Sequence, residues 1–383
     1  MFACAQALGE PDALIADMLG TIAPVAVDVF TAGELGYSCF RIPALLRTPS
    51  GGYVAFAEGR NKSCSDYAPT DIVTKTSVDG RTWSNMTVLC PLGPDKRRLC
   101  SQHDADYGSS AHSPTPAIMG GRVTLVFQDT HDTPHTRIYA MSALDAAATQ
   151  WNQTAAVDLT EASGWYGRGI IPGAGAHAIS ISAGRLVLPA HSDHWGSTGG
   201  TPAGAGVLIS DDDGASWRTG NDSALGGNEN SVALAPNGSL VQLLRLGSGW
   251  KGLSWSDDGG DTWSAPLVNV TGGLPMVGAS CEGSLMRVPG RELLVATTPF
   301  NPSYSCGGSF RGRCNMTAWA SVDSGASWTL LAKVGTELED AAYSSLAPYN
   351  ASHVAMVYER GYGASHVTWT LVPLEGDASR RGR

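Results

Sequence analysis

One motif recurs along this chain, and it restricts the fold more than any other feature. "SDDDGASW" (210–217), "SDDGGDTW" (256–263) and "SVDSGASW" (321–328) all read Ser-x-Asp-x-Gly-x-Ser/Thr-Trp. "TSVDGRTW" (76–83) is about one residue short of the pattern, and "SALDAAATQW" (142–151) is a decayed copy. The chemistry of the motif is that of a turn. Its Ser and Asp side chains hydrogen-bond the turn backbone, its Gly tolerates positive φ, and its Trp supplies a large apolar anchor. A metal-binding loop would need converging ligands, which one Asp per copy does not provide. The copies recur roughly every 45 to 70 residues, a period that in an all-β chain predicts a β-propeller.

The rest of the sequence agrees. After residue 30, short apolar runs alternate with "PSGG", "MGGR", "SAGR", "APNG", "VPGR" and "YNAS", the rhythm of strands joined by tight turns. With 43% hydrophobic and 16% charged residues over 383 positions, the chain is globular and has material for a large core. A net charge of −10, with no basic run, argues against a nucleic-acid surface. No stretch of apolar residues is long enough for a transmembrane helix.

Turn positions allow residues to be paired across hairpins. In "SCFRIPALLRTPSGGYVAFAEGR" (38–60) a turn centred between Ser50 and Gly51 sets Arg41 opposite Arg60, a like-charge pair that should destabilise the strands. In "NENSVALAPNGSLVQLLR" a turn on Asn237 sets Glu229 opposite Arg245. In "AYSSLAPYNASHVAMVYER" a turn near residues 350–352 brings Tyr343 and Arg360 to the same end. Equivalent hairpin ends converge around the axis of a propeller. The expectation is a pocket lined by arginines, suited to bidentate recognition of a carboxylate or phosphate. The competing reading is that each arginine pairs with a nearby surface acid.

"FRIP" (40–43) followed by the ordered set of Asp-box repeats resembles the sialidases, over roughly residues 28–375. "SCSDYAPTDIV" and "AYSSLAP" resemble motifs of the lysosomal-type and bacterial members. The resemblance implies a six-bladed propeller, with residues 1–27 an N-terminal segment (unstructured or a short helix) and 376–383 a tail. It implies removal of terminal sialic acids from glycoproteins, glycolipids or oligosaccharides, with no metal or other cofactor. By the family's pattern Arg41, Arg245 and Arg313 clamp the sugar carboxylate, Arg311 being the alternative to Arg313. Arg60 is a pocket arginine near the general acid. Asp66 is the acid, with Asp71 its competitor, and Tyr343 is a nucleophile activated by Glu229. Sialidases are the exception to two-carboxylate glycosidases, and the arginines are expected to favour the phenolate. His191, Asp193, His194 and Trp195 form a polar and aromatic cluster that could line a pocket, although a satisfied loop is the plainer reading. Glu282 is placed toward the central cavity without a role. Related keto-acid sugars such as deaminated neuraminic acid, or a non-catalytic glycan-binding propeller, are the alternatives.

Eight Asn-x-Ser/Thr sequons (Asn61, Asn85, Asn152, Asn221, Asn237, Asn269, Asn315 and Asn350) and eight cysteines suit an oxidising compartment. Cys90 with Cys100, and Cys306 with Cys314, could each close a loop, with buried thiols the other reading. The first residues lack a basic and apolar leader pattern, so a secretory, lysosomal or extracellular chain is expected to begin further upstream. No protein partner is readable.

Overall fold

A computed structural model describes residues 26–101, 110–130, 137–160, 170–173, 175–192, 204–221, 223–225, 227–246, 251–268, 281–300, 312–336, 338–361 and 363–375. The strands form six antiparallel sheets arranged as the blades of a β-propeller. The first blade runs Cys39–Arg47, Tyr53–Arg60, Thr70–Ser77 and Thr87–Leu89 from the axis outward. The fourth consists of Gly227–Leu234, Leu240–Leu246 and Lys251–Ser256, and the fifth begins with Ser284–Arg287. The sixth has Ala341–Pro348, His353–Arg360 and His366–Pro373, and its outermost strand is Val27–Thr31, from the other end of the chain. That strand pairs antiparallel with His366–Pro373 and closes the ring.

The hydrophobic core is distributed over the seams between neighbouring blades. Phe56, Ile72, Leu125, Tyr139 and Trp151 fill the seam between the first two blades. Phe30, Phe40, Val73, Val357 and Trp369 fill the one between the sixth and the first. The repeated motif explains how five of the six seams are sealed. In every copy the Trp indole N–H donates to the carbonyl three residues earlier, at 2.9 Å for Trp83 and 3.0–3.1 Å for Trp151, Trp217, Trp263 and Trp328. Each indole then packs into the seam between its own blade and the preceding one. The decayed copy behaves as the others do, with Asp145 accepting from the backbone N–H of Thr149 (2.9 Å) and Ala148 taking the left-handed conformation that Gly occupies elsewhere. No copy contributes to a cluster of metal-ligating side chains among the described residues. Trp328→Phe removes the bond to Gly325 and part of a buried ring, and is expected to cost about 1–2 kcal/mol in a urea unfolding titration.

Among the described residues two disulfides are complete, Cys39–Cys64 and Cys90–Cys100. The second matches the pairing suggested by spacing; the first does not follow from it. Cys314 is also disulfide-bonded, while Cys306 lies outside the described residues. Cys281 is a buried thiol. No helix among the described residues is long and apolar enough to cross a membrane.

Candidate active site

The hairpin ends meet on one face of the ring, but the registers differ from simple counting in an instructive way. Arg41 lies opposite Glu58, and Arg60 opposite Cys39. The Thr48–Gly52 turn centres earlier than expected, and a bulge between Arg41 and Ala44 shifts the pairing further. Ile42, within that bulge, has φ +52°, a conformation unfavourable for a β-branched residue. The like-charge conflict anticipated for this hairpin is therefore resolved in the chain itself. Arg60 donates to Glu58 through Nη2 (2.6 Å) and Nε (3.0 Å), and through Nη1 to Asp66 (2.6 Å).

Arg41 has a second carboxylate. Its Nε donates to Glu359 Oε1 at 2.7 Å, and the same oxygen accepts the backbone N–H of Ile42 at 2.8 Å. Glu359 is fully buried on the second strand of the sixth blade. It holds both the guanidinium and the strained backbone that aims it. Glu58 repeats the device one blade on, accepting from the N–H of Ser113 (2.8 Å), another bulge residue with φ +54°. Sequence reasoning missed both glutamates. The available signal was their position one or two residues before an arginine at the end of a second strand, in "EGR" and "ERG".

Arg360 corrects the pairing that grouped it with the pocket. It points to the other face of its strand, donating to Asp28 (2.8 Å) and Glu339 (3.0 Å). Asp28 also accepts from Thr368 at 2.6 Å. Arg360 thus fastens the closing strand of the ring, the surface-acid role. A β-strand presents successive side chains to opposite faces, so Glu359 faces the first blade and Arg360 faces away from it.

Glu229 and Arg245 meet across their hairpin as the turn on Asn237 predicts, with Arg245 Nη1 2.5 Å from Glu229 Oε2. The Tyr343 hydroxyl donates to the other oxygen of Glu229 and accepts from Arg245 Nη1 at 3.0 Å. The guanidinium carbons of Arg41 and Arg313 lie 5.2 and 5.8 Å from the centre of the Tyr343 ring. Arg41 also reaches Asp66 at 3.7 Å, so one guanidinium adjoins both the tyrosine and the aspartate. The Asp66 side chain is 76% exposed, open to whatever enters the cleft. Asp71 instead sits buried within a strand, accepting from the Tyr37 hydroxyl at 2.7 Å.

The electrostatics divide the tyrosine–glutamate pair into a donor and an acceptor. Burial disfavours the Glu229 charge, but Arg245, His191 and the Tyr343 hydroxyl outweigh it and hold the carboxyl below its ordinary value. Burial and the adjacent Glu229 charge push the Tyr343 phenol well above its ordinary value, against the opposing pull of Arg245, Arg313 and Arg41. The arginines do favour the phenolate as expected, yet they do not prevail. Tyr343 is therefore a neutral phenol hydrogen-bonded to an ionised carboxylate.

His191 is buried at the end of its strand; Asp193, His194, Trp195 and Arg311 lie outside the described residues. Glu282 is fully buried beneath the site, accepting the N–H of Ser344 at 3.0 Å. Burial pushes its carboxyl well up despite Lys251, whose ammonium donates to the Cys281 carbonyl.

Glu58 supplies a pH prediction. Burial opposes its charge, but Arg60, His112 and the Ser113 N–H prevail and depress its carboxyl strongly. The stability this confers is complete above the unfolded-state value and is lost as pH falls toward the folded one. Glu58→Gln is expected to be less stable than wild type at neutral pH, and the gap should narrow below about pH 4 in urea titrations.

A propeller whose axial pocket joins arginines to a tyrosine–glutamate pair has known relatives. The chain belongs to the BNR repeat-like domain family, whose model matches residues 96–356. It is similar to a sialidase of Micromonospora viridifaciens, 24% identical over 364 residues (91% of this chain and 54% of the relative). A sialidase of Bacteroides fragilis is 25% identical over 382 residues, covering 92% of this chain and 65% of that one. The chain thus spans between about half and two thirds of the length of these two relatives. Among solved structures, the Hadza microbial sialidase Hz136 superposes with a TM-score of 0.74 at 22% identity, covering 91% of this chain and 68% of that one. A leech intramolecular trans-sialidase superposes with a TM-score of 0.69 at 16% identity, covering 96% and 72% respectively. These likenesses speak for the propeller fold.

Proposed function

We propose that this protein is a retaining exo-α-sialidase acting on sialylated glycoproteins, glycolipids or oligosaccharides. The observation that carries the proposal is the Tyr343 hydroxyl donating to Glu229 and accepting from Arg245, with Arg41 and Arg313 beside its ring. A sialoside bears a carboxylate on its anomeric carbon, so a carboxylate nucleophile would approach like charge. A neutral phenol does not, and Glu229 makes it competent by taking its proton as the bond forms. Arg41, Arg245 and Arg313 hold the substrate carboxylate and fix the sugar's orientation.

In the first step the Tyr343 oxygen bonds to the anomeric carbon, its proton passes to Glu229, and Asp66 protonates the departing aglycone oxygen. In the second, Asp66 takes a proton from water, which displaces the tyrosine oxygen, and Glu229 returns the proton to Tyr343. Two displacements give net retention. The disulfides and the exposed sequons Asn85, Asn221, Asn237 and Asn350 support a secretory, lysosomal or extracellular setting.

The test is release of a fluorogenic aglycone from an α-sialoside and from its deaminated analogue. No turnover of either between about pH 4 and 7 would sink the hydrolase reading and leave a glycan-binding propeller. NMR of the first-formed sugar distinguishes outcomes: the α-anomer of the free acid marks retaining hydrolysis, and a 2,7-anhydro sugar marks intramolecular transfer.

A further inference from the structure

The side chain proposed as the acid lies on an exposed loop, which raises the question of what holds it in place. Residues 61–69 connect the second and third strands of the first blade, and Lys62, Ser63, Ser65, Asp66 and Tyr67 are all exposed. The base of the loop is closed by Asn61 N–H to the Pro69 carbonyl at 2.8 Å. At its tip Arg60 Nη1 donates to the Cys64 carbonyl (2.8 Å) and to Asp66 (2.6 Å). Among the described residues the Asp66 carboxylate has two ionic partners, Arg60 and Arg41.

Those ion pairs exist when Asp66 is charged. To act as an acid it must enter the reaction protonated, and a neutral carboxyl no longer attracts either guanidinium as an ion. The contacts that place Asp66 are thus weakest in the state that must donate. Beside the bonds to the Pro69 and Cys64 carbonyls, one covalent link does not depend on protonation. Cys64, two residues before Asp66, is disulfide-bonded to Cys39, two residues before Arg41 on the innermost strand. The bond ties the tip of the loop to the strand bearing the carboxylate-binding arginine, with the two Cα atoms 5.8 Å apart.

We propose that the Cys39–Cys64 disulfide is the positioning element for Asp66, keeping the protonated acid within reach of the leaving oxygen. The inference rests on the sialidase reading above and adds a role for a cystine that touches no substrate. Its signature is dependence on the leaving group. An aryl sialoside whose phenol departs readily needs little protonation, whereas the alkyl oxygen of a sialyllactose needs a full proton.

The experiment compares kcat/KM for these two substrates in wild type, Cys39→Ala/Cys64→Ser, Asp66→Asn and the triple variant. Removing the disulfide is expected to lower the sialyllactose value at least about tenfold and the aryl value less than about threefold. In the Asp66→Asn background it should have no further selective effect, because interacting groups are non-additive. Cys90→Ser/Cys100→Ser, which removes the other disulfide, should leave the ratio of the two substrates unchanged. Equal losses on both substrates, no loss on either, or a full selective loss in the Asp66→Asn background would overturn the proposal. If the double variant does not fold, folded wild type is reduced with dithiothreitol, which is oxidised to its cyclic disulfide as Cys39 and Cys64 become thiols. Alkylation mapping then identifies the opened bond, and the same criteria apply. A wild-type protein inactive on both substrates would instead refute the sialidase reading itself.

Discussion

Replacing Tyr343 by phenylalanine is expected to lower turnover of an α-sialoside by at least about a thousandfold, with fold and substrate-analogue binding retained. The change removes one oxygen. That oxygen is the proposed nucleophile, the proton donor to Glu229 and an acceptor from Arg245. Glu229 and Arg245 keep their own 2.5 Å contact, so no buried charge is stranded and melting should change little. The arginines proposed to hold the substrate carboxylate are untouched, so an unreactive carboxylate-bearing analogue should bind within a few-fold of its wild-type affinity. Activity within about tenfold of wild type, a barrier change below about 1.4 kcal/mol, would rule out Tyr343 as nucleophile. A collapse of both binding and thermal stability would show that the hydroxyl serves structure instead.

Glu359→Ala is expected to be the most damaging single change outside the reacting groups. One buried oxygen serves the Arg41 guanidinium and the backbone N–H of Ile42. Its loss takes from Arg41 its 2.7 Å ionic partner, a much closer one than Asp66 at 3.7 Å, and removes the acceptor that secures the bulge. Breaking a buried pair in this way typically costs about 3–5 kcal/mol. Unfolding titrations should register that loss, and under the proposed function KM for a sialoside should rise because Arg41 is no longer held in the orientation proposed to bind its carboxylate. Glu359→Gln keeps an acceptor while removing the charge, and should fall between wild type and alanine in both measurements. Equal stability of the alanine variant and wild type would show that the bulge is held by other means.

The two sides of the pocket were unequally legible in the sequence, and the reason is local geometry. The pairing around Asn237 is centred as counted and stays regular as far as Asn230 opposite Leu244; a bulge falls only beyond that pair, between Gly227 and Asn230, and the side chains of Glu229 and Arg245 still meet. The innermost strands of the first and sixth blades each carry a bulge before their pocket residues. A bulge adds a residue on one side, and a slip of one residue exchanges the two faces of a strand. Counting therefore selected Arg360 where Glu359 belongs, and Arg60 where Glu58 opposes Arg41. The Trp seams were easier to anticipate, because their chemistry repeats and is contained within a few residues. Cys39–Cys64 was out of reach because cysteine spacing does not determine connectivity.

The closing strand has a consequence for how the protein comes into being. Val27–Thr31 must wait for His366–Pro373, more than three hundred residues later in the chain, before it can pair. During synthesis the early strand leaves the ribosome with an unsatisfied edge, and such long-range pairing is slow and exposed to misassociation. The same late event delivers Tyr343 and Glu359 to Arg41. Glu229 and Arg245 can find each other within their own hairpin, but the arginine that faces them is not set until the last blade docks. Under the proposed function, catalytic competence should therefore appear all at once, when the sixth blade docks on the first.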